Sequence, residues 1–128
     1  MNVPKNLMYT ASHEWVEIDG DKMKIGLTEH ASEQLGDLVF INLPEVGDQV
    51  EAEGSFGDVE SVKAVSDIIS PATGEVSAVN DAALDSPGDV NGDPYGVWLA
   101  EISNVTGKRE LLTPEEYEKL QEDRKAHV

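Results

Sequence analysis

The chain has no cysteine, which removes disulfides, thiolate metal sites and a thiol nucleophile together and leaves the redox compartment open. Cations are scarce as well: 9 Lys and Arg stand against 26 Asp and Glu, a formal net charge of −17. So acidic a chain is poorly suited to nucleic acid, whose phosphates are bound by Lys and Arg releasing counterions, and to anionic membrane surfaces. The acidity serves solubility, and it can also steer encounter with basic partner surfaces. No apolar run approaches the roughly 20 residues of a membrane span. Met1-Asn2-Val3-Pro4-Lys5-Asn6 has neither an apolar signal core nor an Arg-rich presequence. The expected location is the bacterial cytoplasm, or an organelle for a processed mitochondrial form.

What is present describes one globular domain, expected over residues 1–128 with an apolar content of 39%. Tyr9 to Ile18 carries Trp15, Val16 and Ile18, and Met23 and Ile25 follow at strand spacing. This predicts a β-hairpin turning at Asp19-Gly20 or Gly20-Asp21. Thr28 is an N-cap residue, Glu29 to Leu35 suits a short helix and Gly36 suits its C′ position, a helix near 28–36. Leu38 to Ile41 has the length of a strand.

Two similar phrases follow, Pro44-Glu45-Val46-Gly47-Asp48-Gln49-Val50 and Pro71-Ala72-Thr73-Gly74-Glu75-Val76. Each predicts a turn, with Pro at its entry and Gly at a positive φ, feeding a strand. A hairpin falls between them with Val62-Lys63-Ala64 at its tip, as in a sandwich of two related halves. The tip lacks Gly and Asn, which a type I turn tolerates. Asp85 to Gly96 predicts a long loop, and Val97 to Ile102 a closing strand. Thr113-Pro114-Glu115-Glu116 is a capping box with Pro at N1, opening a helix over about 113–124 that docks lightly and frays after Glu122.

The residue types that do chemistry are mostly absent from useful patterns. No serine lies in a Gly-x-Ser-x-Gly frame, and Gly54-Ser55-Phe56-Gly57 is one residue short of it. His13, His30 and His127 are scattered, without the i, i+4 spacing of a helical zinc pair. Asp89-Val90-Asn91-Gly92-Asp93 opens like a calcium loop, but Pro94 stands where its glycine belongs and Ala100 where its bidentate Glu belongs. The expectation is no catalytic residue, no metal and no enzyme.

One side chain stands apart. Between Lys24 and Lys108 the only Lys or Arg is Lys63, set among sixteen Asp and Glu and flanked by Val62 and Ala64. A Schiff-base lysine is activated by burial or by a neighbouring cation, and this stretch supplies no cation. An exposed lysine is instead a good acceptor for an enzyme that brings its own activated acyl group. Acylation would remove the charge and lengthen the side chain into a swinging arm.

These residues resemble the H protein of the glycine cleavage system, a lipoyl carrier, from about Leu7 to Tyr117. The resemblance is carried by Ser12-His13-Glu14-Trp15-Val16, Ile25-Gly26-Leu27-Thr28-Glu29-His30-Ala31, Leu35-Gly36-Asp37 and Phe40-Ile41-Asn42-Leu43-Pro44. Glu60 to Asp67 and Ser70 to Val76 extend it, with Asn80, Pro87, Pro94-Tyr95 and Trp98. It implies a mainly β barrel-sandwich hybrid of the lipoyl/biotinyl kind, with two small antiparallel sheets and a lipoyl-binding core over about 22–104. It implies lipoate amide-linked to Lys63 as the covalent cofactor.

It also implies the function. The arm takes an aminomethyl group from the pyridoxal-phosphate P protein (glycine decarboxylase) to the tetrahydrofolate-dependent T protein (aminomethyltransferase). The L protein, dihydrolipoamide dehydrogenase, then reoxidises it, and a lipoate ligase or octanoyltransferase attaches it. A monomer is implied. Glu14 and Asp67 match positions lining the cleft that shelters the loaded arm, while Gln34 stands where some members carry His. A biotin carrier shares the hairpin-tip lysine but usually flanks it with Met. The competing function is an H-like lipoyl relay or signalling protein that passes lipoate to other enzymes.

Overall fold

The structure, a computed structural model, describes residues 3–126; His127 lies outside the described residues. Strands β1 (Met8–Tyr9), β2 (Glu14–Asp19) and β3 (Lys22–Leu27) precede helix α1 (Glu29–Leu35) and strand β4 (Leu38–Asn42). Then come β5 (Gln49–Val50), β6 (Ser55–Ser61), β7 (Val65–Ile69) and β8 (Ala72–Val79). Short helices α2 (Asp81–Asp85) and α3 (Gly88–Gly92), strand β9 (Ala100–Lys108) and helix α4 (Pro114–Ala126) complete the chain. Pairing is antiparallel throughout: a six-stranded sheet in the order β1-β2-β3-β9-β8-β5 faces a three-stranded sheet β4-β6-β7.

The core lies between the sheets. Leu27, Leu38, Ile41, Val59, Ile68 and Leu99 pack together with Ala83 of α2 and Val90 of α3. Ile25, Val50, Val76 and Ile102 form a second cluster. Side chains alternate along a strand, so the buried Val59 leaves its neighbours Asp58 and Glu60 on the opposite, outer face of β6. That alternation puts the outer face of the small sheet, and its hairpin, in solvent.

Several local expectations hold. Asp19 pairs Lys22 across a two-residue turn of Gly20 and Asp21, with Gly20 at φ 63°, the positive value a hairpin turn needs there. Thr28 caps α1 by accepting from Ala31 N at 3.2 Å, and Gly36 ends it at φ 77°. The capping box of α4 is closed both ways: Glu116 N donates to Thr113 Oγ1 at 3.2 Å, and Thr113 N to Glu116 Oε1 at 2.9 Å.

Others are corrected. The first strand does not run from Tyr9: a turn over Thr10 to His13 intervenes, with His13 at φ 72° and β2 beginning at Glu14. No Gly or Pro marked that turn. In the second Pro-Gly phrase, Gly74 lies inside β8 opposite Val50. It is glycine because a Cβ would meet Ile102 Cγ2 and Ser103 O, each at 2.6 Å. Only Gly47, at φ 99°, takes the expected turn conformation. The loop from Asp85 contains α3, anchored by the fully buried Val90. The closing strand begins at Ala100, not Val97, and runs to Lys108, past the expected core boundary at 104. Its outer half is polar, which hid it. Finally, α4 extends to Ala126 and docks through Tyr117, fully buried and stacked on Tyr9 at 4.8 Å and 11°.

Candidate functional site

Lys63 sits at the exposed tip of the β6–β7 hairpin, beyond the last strand pair, Glu60 with Val65. The tip is closed by Ser61. Its N–H donates to Ala64 O at 2.8 Å, and its hydroxyl accepts from Ala64 N at 3.1 Å and Lys63 N at 3.3 Å. A Ser hydroxyl bonding the backbone two and three residues on replaces the Gly or Asn that such a turn usually carries. None of Val62, Lys63 and Ala64 has a positive φ. The type I reading tolerated this, but the device that does the work, Ser61, was missed, although Ser two residues before the tip is a legible signal.

The tip is also tied sideways. Val62 N donates to Asp37 O at 3.2 Å, and Leu38 pairs with Ser61. The Lys63 stem passes Gly36, its Cε 3.6 Å from where a Cβ would stand. Asn91 of α3 fixes that corner: its amide donates to Gly36 O at 2.7 Å and Ser32 Oγ at 3.2 Å, and its Oδ1 accepts from Leu38 N at 3.0 Å. The segment that resembled a calcium loop is thus a staple for the wall beside Lys63. Among the described residues, Lys63 Nζ makes no ion pair or hydrogen bond, and no three His, Asp or Glu side chains are grouped to hold a metal.

The two carboxylates of the expected cleft differ sharply in setting. Glu14 is 1% exposed at the start of β2. Its Oε1 accepts from Thr10 Oγ1 and Ser12 Oγ, both at 2.6 Å, with Arg109 Nη1 at 3.8 Å; Oε2 faces the Ile69 N–H at 3.4 Å. Burial pushes its carboxyl above the ordinary 4.5, against the pull of Ser12, Thr10, the Ile69 amide and Arg109. Asp67 is exposed on β7, opposite Asp58 of β6. The two acids meet the same strand two residues apart, through Ile69 and Asp67. Arg109, which also donates to Ser12 Oγ at 2.9 Å, comes from beyond β9 and was not foreseen as part of this group.

The histidines are not scattered in space. His13 and His30 pack with tilted rings, centroids 4.3 Å apart, and His13 Nδ1 lies 2.7 Å from the Tyr117 hydroxyl, which also bonds Thr28 Oγ1 at 2.8 Å. They join α4 to the N-terminus of α1.

A barrel-sandwich hybrid offering one unpaired lysine at a hairpin tip is the architecture of a swinging-arm carrier. Comparison with known proteins narrows the class. Residues 7–124 match the family described as glycine cleavage H-protein. The chain is 51% identical over 123 residues to the glycine cleavage system H protein of Herpetosiphon aurantiacus, covering 95% of each. It is 52% identical over 124 residues to that of Carboxydothermus hydrogenoformans, covering 94% of this chain and 95% of that one. The crystal structure of a glycine cleavage system H protein from Mycobacterium marinum superposes with a TM-score of 0.89 at 46% identity, over 94% of this chain and 99% of that one. The chain belongs to the glycine cleavage H-protein family.

Proposed function

We propose that this chain is the lipoyl carrier of a glycine cleavage system, with lipoate amide-linked to Lys63 Nζ. The observation that carries the reading is the exposed, unpaired Lys63 on a tip held rigid by Ser61, Asp37 and Asn91. An acceptor amine has to enter another protein's active site, so it needs exposure, a free Nζ and a base that does not fold away. The bound group supplies a dithiolane that accepts a one-carbon amine and two electrons. The chain's own part is to present and shelter that arm, while P protein, T protein and dihydrolipoamide dehydrogenase act on it, after a lipoate ligase or octanoyltransferase has loaded it.

Asp67, exposed four residues along from Lys63, presents a carboxylate to a cation brought back on the arm. Glu14 supports the same wall from beneath, its carboxyl held by Thr10, Ser12, the Ile69 N–H and Arg109. A charge-assisted hydrogen bond to Asp67 would favour the docked arm by about 1.5–3 kcal/mol at most, less at an exposed site.

The test is intact mass after incubation with lipoate, ATP and lipoate ligase, followed by peptide mapping. One lipoyl group on Lys63 is expected, and Lys63→Arg should fold normally and stay unmodified. Lipoate on Lys22, Lys24 or Lys108 would overturn the assignment.

A further inference from the structure

The surface beside Lys63 is apolar in a molecule whose surface is otherwise strongly acidic. Phe40 is 62% exposed, Val62 73% and Val65 66%. They are not scattered: Phe40 of β4, Glu60 of β6 and Val65 of β7 are successive cross-strand partners, one row on the outer face of the small sheet, and Val62 lies just beyond at the tip. The next row on that face is Asn42, Asp58 and Asp67. Two aspartates directly opposite each other destabilise a sheet, and Asn42 Nδ2, donating to Asp58 Oδ1 at 2.7 Å, partly offsets this. The face thus reads, outward from Lys63, as an apolar collar of Val62, Val65 and Phe40 interrupted by Glu60, and then an acidic rim.

We propose that this face is the docking surface for the enzyme that acylates Lys63, a partner with an apolar rim around its acyl channel and Lys or Arg outside that rim. The inference rests on the acylation reading and says which surface serves it. Reach decides between the possible partners. Before acylation the only spacer is lysine's own flexible four-carbon stem, so the loading enzyme must approach the tip backbone closely and cover Val62, Val65 and Phe40. Enzymes that meet the finished arm can stand further off. A large aromatic with aliphatic neighbours, ringed by charge, has the composition of an interface centre with a polar rim. The acidic outer row matches a basic partner and sets orientation and encounter rate.

The experiment measures kcat/KM for lipoate ligase, with ATP and free lipoate, on the wild-type chain, on the double variant Phe40→Ser with Val65→Ser, and on Val46→Ser. Val46 is 61% exposed on the turn before β5 and serves as an apolar control away from the tip. Thermal melts check that all three fold alike, as substitutions at exposed positions should. A loss of roughly tenfold or more, mostly in KM, is expected for the double variant, the scale of truncating an interface anchor, with Val46→Ser unchanged. Equal kcat/KM for the double variant and wild type would overturn the proposal, as would an equal loss in Val46→Ser. A wild-type chain that gains no lipoyl mass would instead remove the acylation reading, and this one with it.

Discussion

At the scale of single residues, Glu14 and Asp67 show how one functional group, the carboxylate, can be set in two ways. Asp67 is an ordinary exposed acid, whereas Glu14 is enclosed by two hydroxyls, a backbone amide and a guanidinium. Its raised value fixes the sign of a pH effect. The folded state disfavours the ionised form relative to the unfolded chain, so the stabilising contribution is complete below the unfolded value, near 4.5, and is lost as pH rises through the higher folded value. Glu14→Gln keeps an oxygen acceptor for Thr10 and Ser12 but does not titrate there. The melting temperature of wild type minus that of Glu14→Gln should therefore fall as pH is raised from acid to neutral. A difference that stays flat, or rises, would mean that the hydroxyls and Arg109 outweigh burial.

At the scale of elements, legibility depended on whether the deciding contact was local. Helix α1, the Gly20-Asp21 turn and the capping box of α4 are specified by neighbours within four residues, and all were readable from the sequence. The position of Lys63 was readable for the same reason: a lone cation in a short, Gly-free tip between two strands. What was not readable was set by distant partners. Gly74 answers to Ile102 across the sheet, α3 is secured by burying Val90 against the core, and the turn at His13 is held by Thr10 and Thr28. The face that α4 buries was legible at Tyr117, but not that its hydroxyl bridges to α1. That bridge yields a prediction. Tyr117→Phe keeps the stack on Tyr9 but removes the hydroxyl that bonds His13 Nδ1 and the fully buried Thr28 Oγ1, the cap of α1. It should cost roughly 1–3 kcal/mol, read as a lower urea midpoint at unchanged slope. An unchanged midpoint would mean that water replaces the hydroxyl at no cost and that α4 is held by stacking alone.

At the scale of the whole molecule, the −17 charge and the exposed apolar side chains beside Lys63 answer different needs. Repulsion between carboxylates costs the folded chain some stability but keeps it soluble and acts at a distance, while the collar acts only on contact. A carrier visited by several enzymes gains from this division: long-range attraction raises the frequency of encounter, and short-range fit decides which encounters are productive. The two can be separated by salt. Screening shortens from about 10 Å at 0.1 M salt to about 3 Å at 1 M, so the association rate of the chain with a basic partner enzyme should drop steeply over that range. The dissociation rate should change far less, because apolar contacts are not screened. Stopped-flow traces of the chain binding lipoate ligase across a salt series would show this as a falling on-rate with a nearly constant off-rate. An on-rate flat across the series would confine the acidity to solubility and leave recognition to the collar alone.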